Sequence, residues 1–247
     1  MNYVYDSFRS LRAQFSSPSG YYSKKATFLR LTKKPFRLAE VFANRLFHSQ
    51  ETFEFAGQRL LYFHHPFNNT SCNERTIEIP IARHFLKPGL RVLEVGNVLN
   101  HYGPFPHDVV DKYEVFPGVT NKDILDFTSD PYDLIVSIST LEHLGWDEPE
   151  QDGTKPFRAM KHLRHLLRPE GAMVVTLPHG CNPHLDAGID QVPCGRHWRF
   201  LRLSRCRGWR EVDHISADVR YGSPYPAANA LHVLFLDGKG QPGTSGR

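Results

Sequence analysis

The chain has 247 residues, of which 40% are hydrophobic and 23% are charged, and its formal net charge is +4. This composition is ordinary for a globular protein and excludes pervasive disorder. No apolar run approaches the roughly 20 residues that a membrane-spanning helix needs, and residues 1–15 lack the apolar core of a secretory signal. None of the four cysteines forms a C-x-x-C pair, so a zinc ribbon and a redox motif have no support. We expect a cytoplasmic protein with reduced cysteines.

Basic residues are concentrated at the start of the chain. Residues 1–50 contain nine Lys or Arg but only two acids, and six arginines recur between residues 196 and 210. Such runs can bind an anionic partner, although most of them are solvated surface. Because no motif resembles a nucleic-acid-binding module, nucleic acid is not an expected partner. Contact of the basic N-terminus with a membrane surface stays open.

Three segments differ in character. Residues 1–75 form an N-terminal extension with two amphipathic helical stretches, at 4–15 and 35–47, and a hairpin whose strands flank residues 56–59. We expect this extension to pack on the main domain. Residues 76–236 alternate strands and helices, which predicts a parallel sheet covered by helices. Residues 237–247 are rich in glycine and polar residues and read as a disordered tail.

The main domain is predicted element by element from its apolar pattern. Helices are expected at 80–86, 157–167 and 200–206. Strands are expected at 90–95, 109–113, 134–138, 172–177, 211–215 and 231–236. The links between the first three strands are short for parallel crossovers, which usually need a dozen or more residues. The first crossover helix is therefore expected to be very short.

Acidic residues and a glycine follow the first strands of this sheet. Glu94 and Gly96 end the first strand, and glycine permits a tight turn and close approach of a ligand. Asp111 or Glu114 ends the second strand, where an acid can bind two ribose hydroxyls. Asp123 follows them, with Ile124 beside it. A doubly wound sheet binds its ligand at this edge.

Several ordered motifs resemble the class I S-adenosylmethionine-dependent methyltransferases. They are Lys-Pro-Gly-Leu-Arg-Val-Leu-Glu-Val-Gly at 87–96, Asp-Ile at 123–124, Tyr-Asp-Leu-Ile-Val-Ser-Ile-Ser-Thr-Leu-Glu-His at 132–143 and Leu-Arg-Pro-Glu-Gly-Ala-Met-Val-Val-Thr-Leu at 167–177. The likeness is greatest to methyltransferases of type 11 and covers about residues 75–236. It implies an α/β fold, with a doubly wound, mostly parallel, seven-stranded Rossmann-like sheet and helices on both faces.

The resemblance also implies a site for S-adenosylmethionine. Its first motif would hold the methionine part, the acid after the second strand the ribose, and the Asp-Ile pair the adenine. The residues that match these cofactor-binding positions are Glu94, Gly96, Asn97, Asp111, Glu114, Asp123, Ile124 and Ser137.

The glycine loop departs from the family pattern. The family has three alternating glycines, whereas Gly96 is followed by Asn97, Val98, Leu99 and Asn100. Val98 puts a branched side chain where close backbone approach is expected. The loop is therefore degenerate, and the cofactor pocket is expected to be altered or lost.

Three histidines are candidates for contact with an acceptor. His143 is the candidate general base, because histidine titrates near neutrality and follows an apolar strand here. A similar Glu-His pair binds metal in some quinone-forming O-methyltransferases, but Ser139 replaces their further glutamate. His179 and His184 are candidate substrate contacts on the loop after the next strand. The spacing of these residues does not predict a metal site.

The sequence thus predicts an S-adenosylmethionine-dependent methyltransferase, with a small molecule or a sugar as the preferred acceptor. Two alternatives stay open, since fold does not fix function. One is a non-catalytic binding or scaffold protein that kept the fold and lost the cofactor. The other is a peripheral membrane or polyanion-binding protein that uses the basic N-terminus.

Overall fold

The computed structural model describes residues 50–71, 73–189, 198–204, 208–225 and 227–236. The two expected N-terminal helices, the nine basic residues of the N-terminal segment and the expected tail lie outside the described residues. No helix in the described part of the chain has the length and apolar character needed to cross a membrane.

The first described element is an antiparallel hairpin, as predicted. Strands β1 (Thr52–Phe55) and β2 (Gln58–Leu61) are joined by Ala56 and Gly57, whose φ values are 53° and 74°. Two positive φ angles suit the right-handed twist of a tight hairpin. The hairpin docks on the main domain, because the backbone amide of Ala56 donates to Glu211 Oε2 at 2.9 Å. The amide of Trp209 likewise donates to the hydroxyl of Tyr62 at 2.8 Å.

Helix α1 (Arg75–Phe85) begins five residues before the expected start at Pro80. Proline inside a helix removes the hydrogen bond to the carbonyl four residues earlier, here that of Thr76. That carbonyl instead accepts from the amide of Phe63 at 2.9 Å, just after the hairpin. The lost helical bond is thus replaced by a bond to the N-terminal segment, and the helix continues through Pro80.

An eight-stranded sheet forms the centre of the molecule, in the order β5-β4-β3-β6-β7-β10-β8-β9. The neighbours from β5 to β7 are parallel, β10 is antiparallel to β7 and β8, and β9 is antiparallel to β8. The strands are β3 (Val92–Val95), β4 (Asp108–Val110), β5 (Val119–Thr120), β6 (Tyr132–Ile138), β7 (Leu167–Pro178), β8 (Trp198–Ser204), β9 (Gly208–Val212) and β10 (Ala230–Leu236).

Helices cover both faces of this sheet. On one face, Ile135 of β6 packs in a core with Leu163 of α2 (Lys155–His165), and the short α3 (Pro183–Gly188) lies on the same side. On the other face, Leu134 and Val136 pack in a second core with Ile79 of α1. The fold is therefore the expected doubly wound, mostly parallel, Rossmann-like α/β sheet. It has eight strands instead of the expected seven.

The crossovers on one half of the sheet are as short as the sequence predicts. A single 3₁₀ turn, Leu99–His101, connects β3 to β4, and another, Ile124–Asp126, precedes β6. A third, Leu141–His143, follows β6.

One predicted element is wrong. The helix expected at 200–206 is replaced by strand β8, which pairs with both β10 and β9. Arg199 of β8 forms an ion pair with Glu211 of β9 across the ladder. Such pairing between distant segments overrides local helical propensity. The strand expected at 211–215 lies earlier, at Gly208–Val212.

Removing the hydroxyl of Tyr62 tests the docking of the hairpin. The change Tyr62→Phe leaves the amide of buried Trp209 without its partner. We expect a loss of about 1–3 kcal/mol in the free energy of unfolding, measured by urea denaturation. Tyr113→Phe is the control, because Tyr113 is 68% exposed and a surface change should cost under about 0.5 kcal/mol. Equal losses in the two variants would contradict this account of the docking.

Candidate functional site

Glu94 organises the loop that follows β3. Its side chain is fully buried, and Oε1 accepts from the amides of Val98 and Leu99 at 3.0 and 2.8 Å. Oε2 lies 2.8 Å from Nε2 of His107. Burial opposes protonation of His107, but the hydrogen bond to Glu94 raises its pKa. Both carboxylate oxygens are engaged, so Glu94 shapes the loop from inside the protein.

Gly96 marks a close approach between the loops after β3 and β6. Its φ is +88°, and a Cβ atom at this position would lie 2.2 Å from Oγ1 of Thr140. Only glycine fits here, as the sequence predicts. The atoms that approach it belong to the side chain of Thr140, which therefore packs on the glycine loop. The next residue, Asn97, is only 3% exposed.

The two acids after β4 have different surroundings. Asp111 accepts from the amides of Tyr113 and Glu114 at 2.8 and 2.7 Å and so closes its own turn. Glu114 reaches back to the loop after β3, where Oε1 accepts from Nδ2 of Asn97 at 3.0 Å and contacts Nε2 of His101 at 2.9 Å. The Glu114 side chain is 39% exposed. Glu114 is the acid that faces the glycine loop.

Asp123 lies in an ionic network. Its Oδ2 accepts from Nζ of Lys112 at 3.0 Å and from Nζ of Lys155 at 2.7 Å, and Lys155 also bonds Glu148. Although burial opposes ionisation, the hydrogen bonds from the two lysines lower the pKa of Asp123 to about 2. Ile124 is 5% exposed and packs in the core. Asp123 is thus paired within the chain, and Ile124 is not placed to cover an exposed ring.

Ser137 lies inside the sheet. It is fully buried, and its hydroxyl donates to the carbonyl of Val95 at 3.2 Å. It links β6 to β3 at the point where the strand order reverses.

A buried polar cluster at the carboxyl ends of β6 and β7 was not found from the sequence. Oε1 of Glu78, on α1, accepts from the hydroxyls of Ser139 and Thr176 at 2.6 and 2.7 Å. Oε2 of Glu78 accepts from Nη1 of Arg75 at 2.5 Å. Glu74, which precedes α1, is 8% exposed, and burial raises its pKa. The sequence signal was the presence of three charged residues, Glu74, Arg75 and Glu78, around the first turn of this helix.

Glu142 and His143 lie beside this cluster. Glu142 is 1% exposed, and its Oε2 has no hydrogen-bond partner in the described part of the chain. Burial raises the pKa of Glu142 to about 7. His143 is half exposed; Nε2 lies 3.6 Å from Glu142 Oε1, and Nδ1 lies 2.6 Å from Oδ2 of Asp147. Desolvation opposes protonation of His143, but the two carboxylates raise its pKa.

The two histidines predicted to contact the substrate, His179 and His184, have different surroundings. His184 is exposed on α3, where its ring lies 5.7 Å from that of Trp146. His179 follows β7 and meets His232 of β10 and Asp186 of α3, with ring nitrogens and a carboxylate oxygen 2.9 to 3.4 Å apart. His232 was not singled out from the sequence, because it lies within an apolar strand.

Comparison with known proteins gives likenesses of fold. No protein-family model matches the chain, and no curated protein matches it. One similar solved structure is the N-methyltransferase NodS from Bradyrhizobium japonicum, with 19% identity, coverage of 66% of this chain and 96% of that chain, and a TM-score of 0.41. Another is a TehB-like S-adenosylmethionine-dependent methyltransferase from Corynebacterium glutamicum, with 15% identity, coverage of 65% and 86%, and a TM-score of 0.40.

A third similar structure is a possible histamine N-methyltransferase from Thermotoga maritima, with 14% identity, coverage of 64% and 87%, and a TM-score of 0.37. All three TM-scores are below 0.5. The strand order defines the fold of this chain, and its own contacts define the candidate site.

The buried carboxyl of Glu142 gives a pH-dependent stability. A folded-state pKa of about 7 against an ordinary value of 4.5 means that the folded protein binds a proton that the unfolded chain releases. The stabilisation is complete below pH 4.5 and is lost as the pH rises through 7. The neutral variant Glu142→Gln lacks this dependence.

We expect the stability of Glu142→Gln relative to wild type to grow by roughly 3 kcal/mol over this range, as measured by urea denaturation. Glu170→Gln, an exposed change, should follow the wild type at every pH. A constant difference between wild type and Glu142→Gln would contradict the raised pKa.

Proposed function

We propose that this protein transfers a methyl group from S-adenosylmethionine to a small-molecule or sugar acceptor. The observation that carries the proposal is the reversal of strand order between β3 and β6. In open α/β sheets the ligand binds outside the carboxyl ends of the strands at such a switch point. Gly96, Asn97 and Glu114 meet at this place in the sheet.

The residues at the switch point fit part of the cofactor. Glu114 keeps an exposed carboxylate beside the loop after β3, where it can accept from the two ribose hydroxyls. Asn97 orients this carboxylate, and Glu94 fixes the loop through its two backbone amides. Asp123 would contribute to the adenine site only by exchanging one of its lysine partners.

The chain's own residues provide positioning and a base. When bound, S-adenosylmethionine supplies a methyl group on a sulfonium, and the displacement mainly requires alignment of the acceptor. An acceptor N–H or O–H that must lose its proton needs a base, and His143 is the proposed base. Its raised pKa and its two carboxylate neighbours suit proton removal near neutrality. Glu142, which is buried, would hold the developing positive charge on His143.

The acceptor is proposed to be a small molecule or a sugar. Glu142 and Ser139 are 1% and 9% exposed, so an acceptor at the carboxyl ends of β6 and β7 would meet the half-exposed His143 first. His179 and His184 would contact the acceptor from the loop after β7. We further propose a cytoplasmic location. Membrane contact through the basic N-terminal residues stays a prediction.

A second candidate function is that of a non-catalytic methyltransferase-like binding protein. Two observations favour it. Thr140 packs on Gly96, where a ligand would have to approach, and Asp123 is already paired with two lysines.

Titration of S-adenosylhomocysteine into the purified protein by calorimetry separates the two functions. The methyltransferase proposal predicts saturable binding that Glu114→Gln weakens by about tenfold or more, because a charged acceptor of two hydroxyl groups is lost. Asp123→Ala should weaken binding as well if the adenine site is used. Glu170→Gln, an exposed change away from the crevice, should bind like the wild type. Absence of binding to the wild-type protein would overturn the proposal and favour the non-catalytic function.

A further inference from the structure

Three side chains from separate elements converge beside the carboxyl end of β7. His179 follows β7, Asp186 lies on α3, and His232 lies on β10. One atom of each residue takes part: Nδ1 of His179 lies 2.9 Å from Nε2 of His232, and Oδ1 of Asp186 lies 3.2 and 3.4 Å from these nitrogens. All three distances thus connect the same three atoms.

These separations suit a shared metal ion better than hydrogen bonds alone. A point about 2.0–2.1 Å from all three atoms exists roughly 0.9 Å above their plane, and this is the bond length of zinc to histidine nitrogen and carboxylate oxygen. A neutral imidazole carries one N–H. A proton on one of the facing nitrogens can point to only one of the other two atoms, whereas a cation satisfies all three lone pairs.

The surroundings hold the three groups in place. Oδ2 of Asp186 accepts from the amide of Gly180 at 2.8 Å, which fixes the carboxylate. Asn182 caps α3 by accepting from the amides of His184 and Leu185, and its Nδ2 donates to the carbonyl of Glu142. The His232 side chain is 5% exposed, while those of His179 and Asp186 are 18% and 17% exposed. The cluster is enclosed but still reachable from solvent.

A buried tryptophan lies near this cluster. Nε1 of Trp198 is buried without a hydrogen-bond partner in the described part of the chain. The Trp198 ring lies 6.3 Å from that of His232. Buried indole N–H groups usually have an acceptor. Three protein ligands leave the fourth position of a tetrahedral ion open, and a water or an anion can complete it.

We propose that His179, Asp186 and His232 bind one divalent transition-metal ion, for which zinc suits the donor set, with a fourth position left open. Two neutral imidazoles and one carboxylate leave a divalent ion with a net charge of +1, which favours an electron-rich fourth ligand. The site lies after β7, outside the crevice between β3 and β6, and shares His179 with the proposed acceptor contacts. Its occupation by an ion does not require that methyl transfer takes place.

Binding of Zn²⁺ alone to the full-length, chelator-treated protein tests the proposal. Calorimetry in competition with a chromophoric chelator should give one ion per chain. His179→Gln and Asp186→Asn should each weaken binding by at least about 100-fold, since even residues outside the ligand set cost roughly 10–100-fold. His165→Gln is the matched control, because His165 is exposed on α2, and it should bind zinc like the wild type.

Two further readouts keep the test independent of folding. Circular dichroism of the metal-free variants shows whether each is folded, and the result is taken from those that are. X-ray absorption of the wild-type zinc complex should show two imidazole ligands and oxygen donors at about 2.0–2.1 Å. No stoichiometric binding to the wild type, sulfur ligands in the absorption spectrum, or unchanged affinity in folded His179→Gln and Asp186→Asn would each overturn the proposal.

Discussion

The carboxylate of Glu78 determines how α1 and the carboxyl ends of β6 and β7 are arranged. It is fully buried and joins α1 to Thr176 of β7 and to Ser139, which follows β6. Its other oxygen accepts from Arg75 of the same helix. A buried carboxylate is stable only when its charge and lone pairs are satisfied. Helix α1 must therefore lie where its first turn meets the ends of these two strands, and the loop after β6 is fixed by the same contact. Ser139 adopts a positive φ of 41° at this point, a conformation that its bond to Glu78 helps to hold.

Polar residues and one glycine follow the carboxyl ends of neighbouring strands on this side of the sheet. In the order of the strands in the sheet, these residues are Glu114 after β4, Gly96 after β3, Glu142 after β6 and His179 after β7. Asn182 connects the last two segments through the carbonyl of Glu142. The proposed cofactor crevice and the proposed metal site are thus neighbours along one edge, and both depend on loops that Glu78 and Asn182 hold in place.

The sequence predicted the fold well where patterns are local. The apolar runs of β6 and β7, the hairpin at β1 and β2, and the short crossover after Gly96 all appear as expected. Strand β8 was mistaken for a helix because its stability comes from pairing with β10 and β9, which local propensity does not reveal. The start of α1 was misplaced because the bond from Phe63 to Thr76, which compensates for Pro80, joins two segments that the sequence does not show to be neighbours.

The site was predicted only in part. Gly96 and Glu114 lie beside the switch point between β3 and β6, whereas Asp123 and Ile124 are engaged in a salt-bridge network and in the core. Glu78 and His232 were not named from the sequence, because their contacts depend on burial and on partners far along the chain. The nearest sequence signal for the proposed metal site was His179, with Asp186 close to it in the segment after β7, and their spacing gave no hint of a partner on β10.

A crystal structure of the protein grown with saturating S-adenosylhomocysteine tests the central claim most directly, namely that the switch point between β3 and β6 is the functional site. The account predicts ligand density outside the carboxyl ends of β3 and β4, with the ribose against Glu114 and Thr140 moved from its position over Gly96. Thr140 still packed on Gly96, with no ligand density at the switch point, would contradict it.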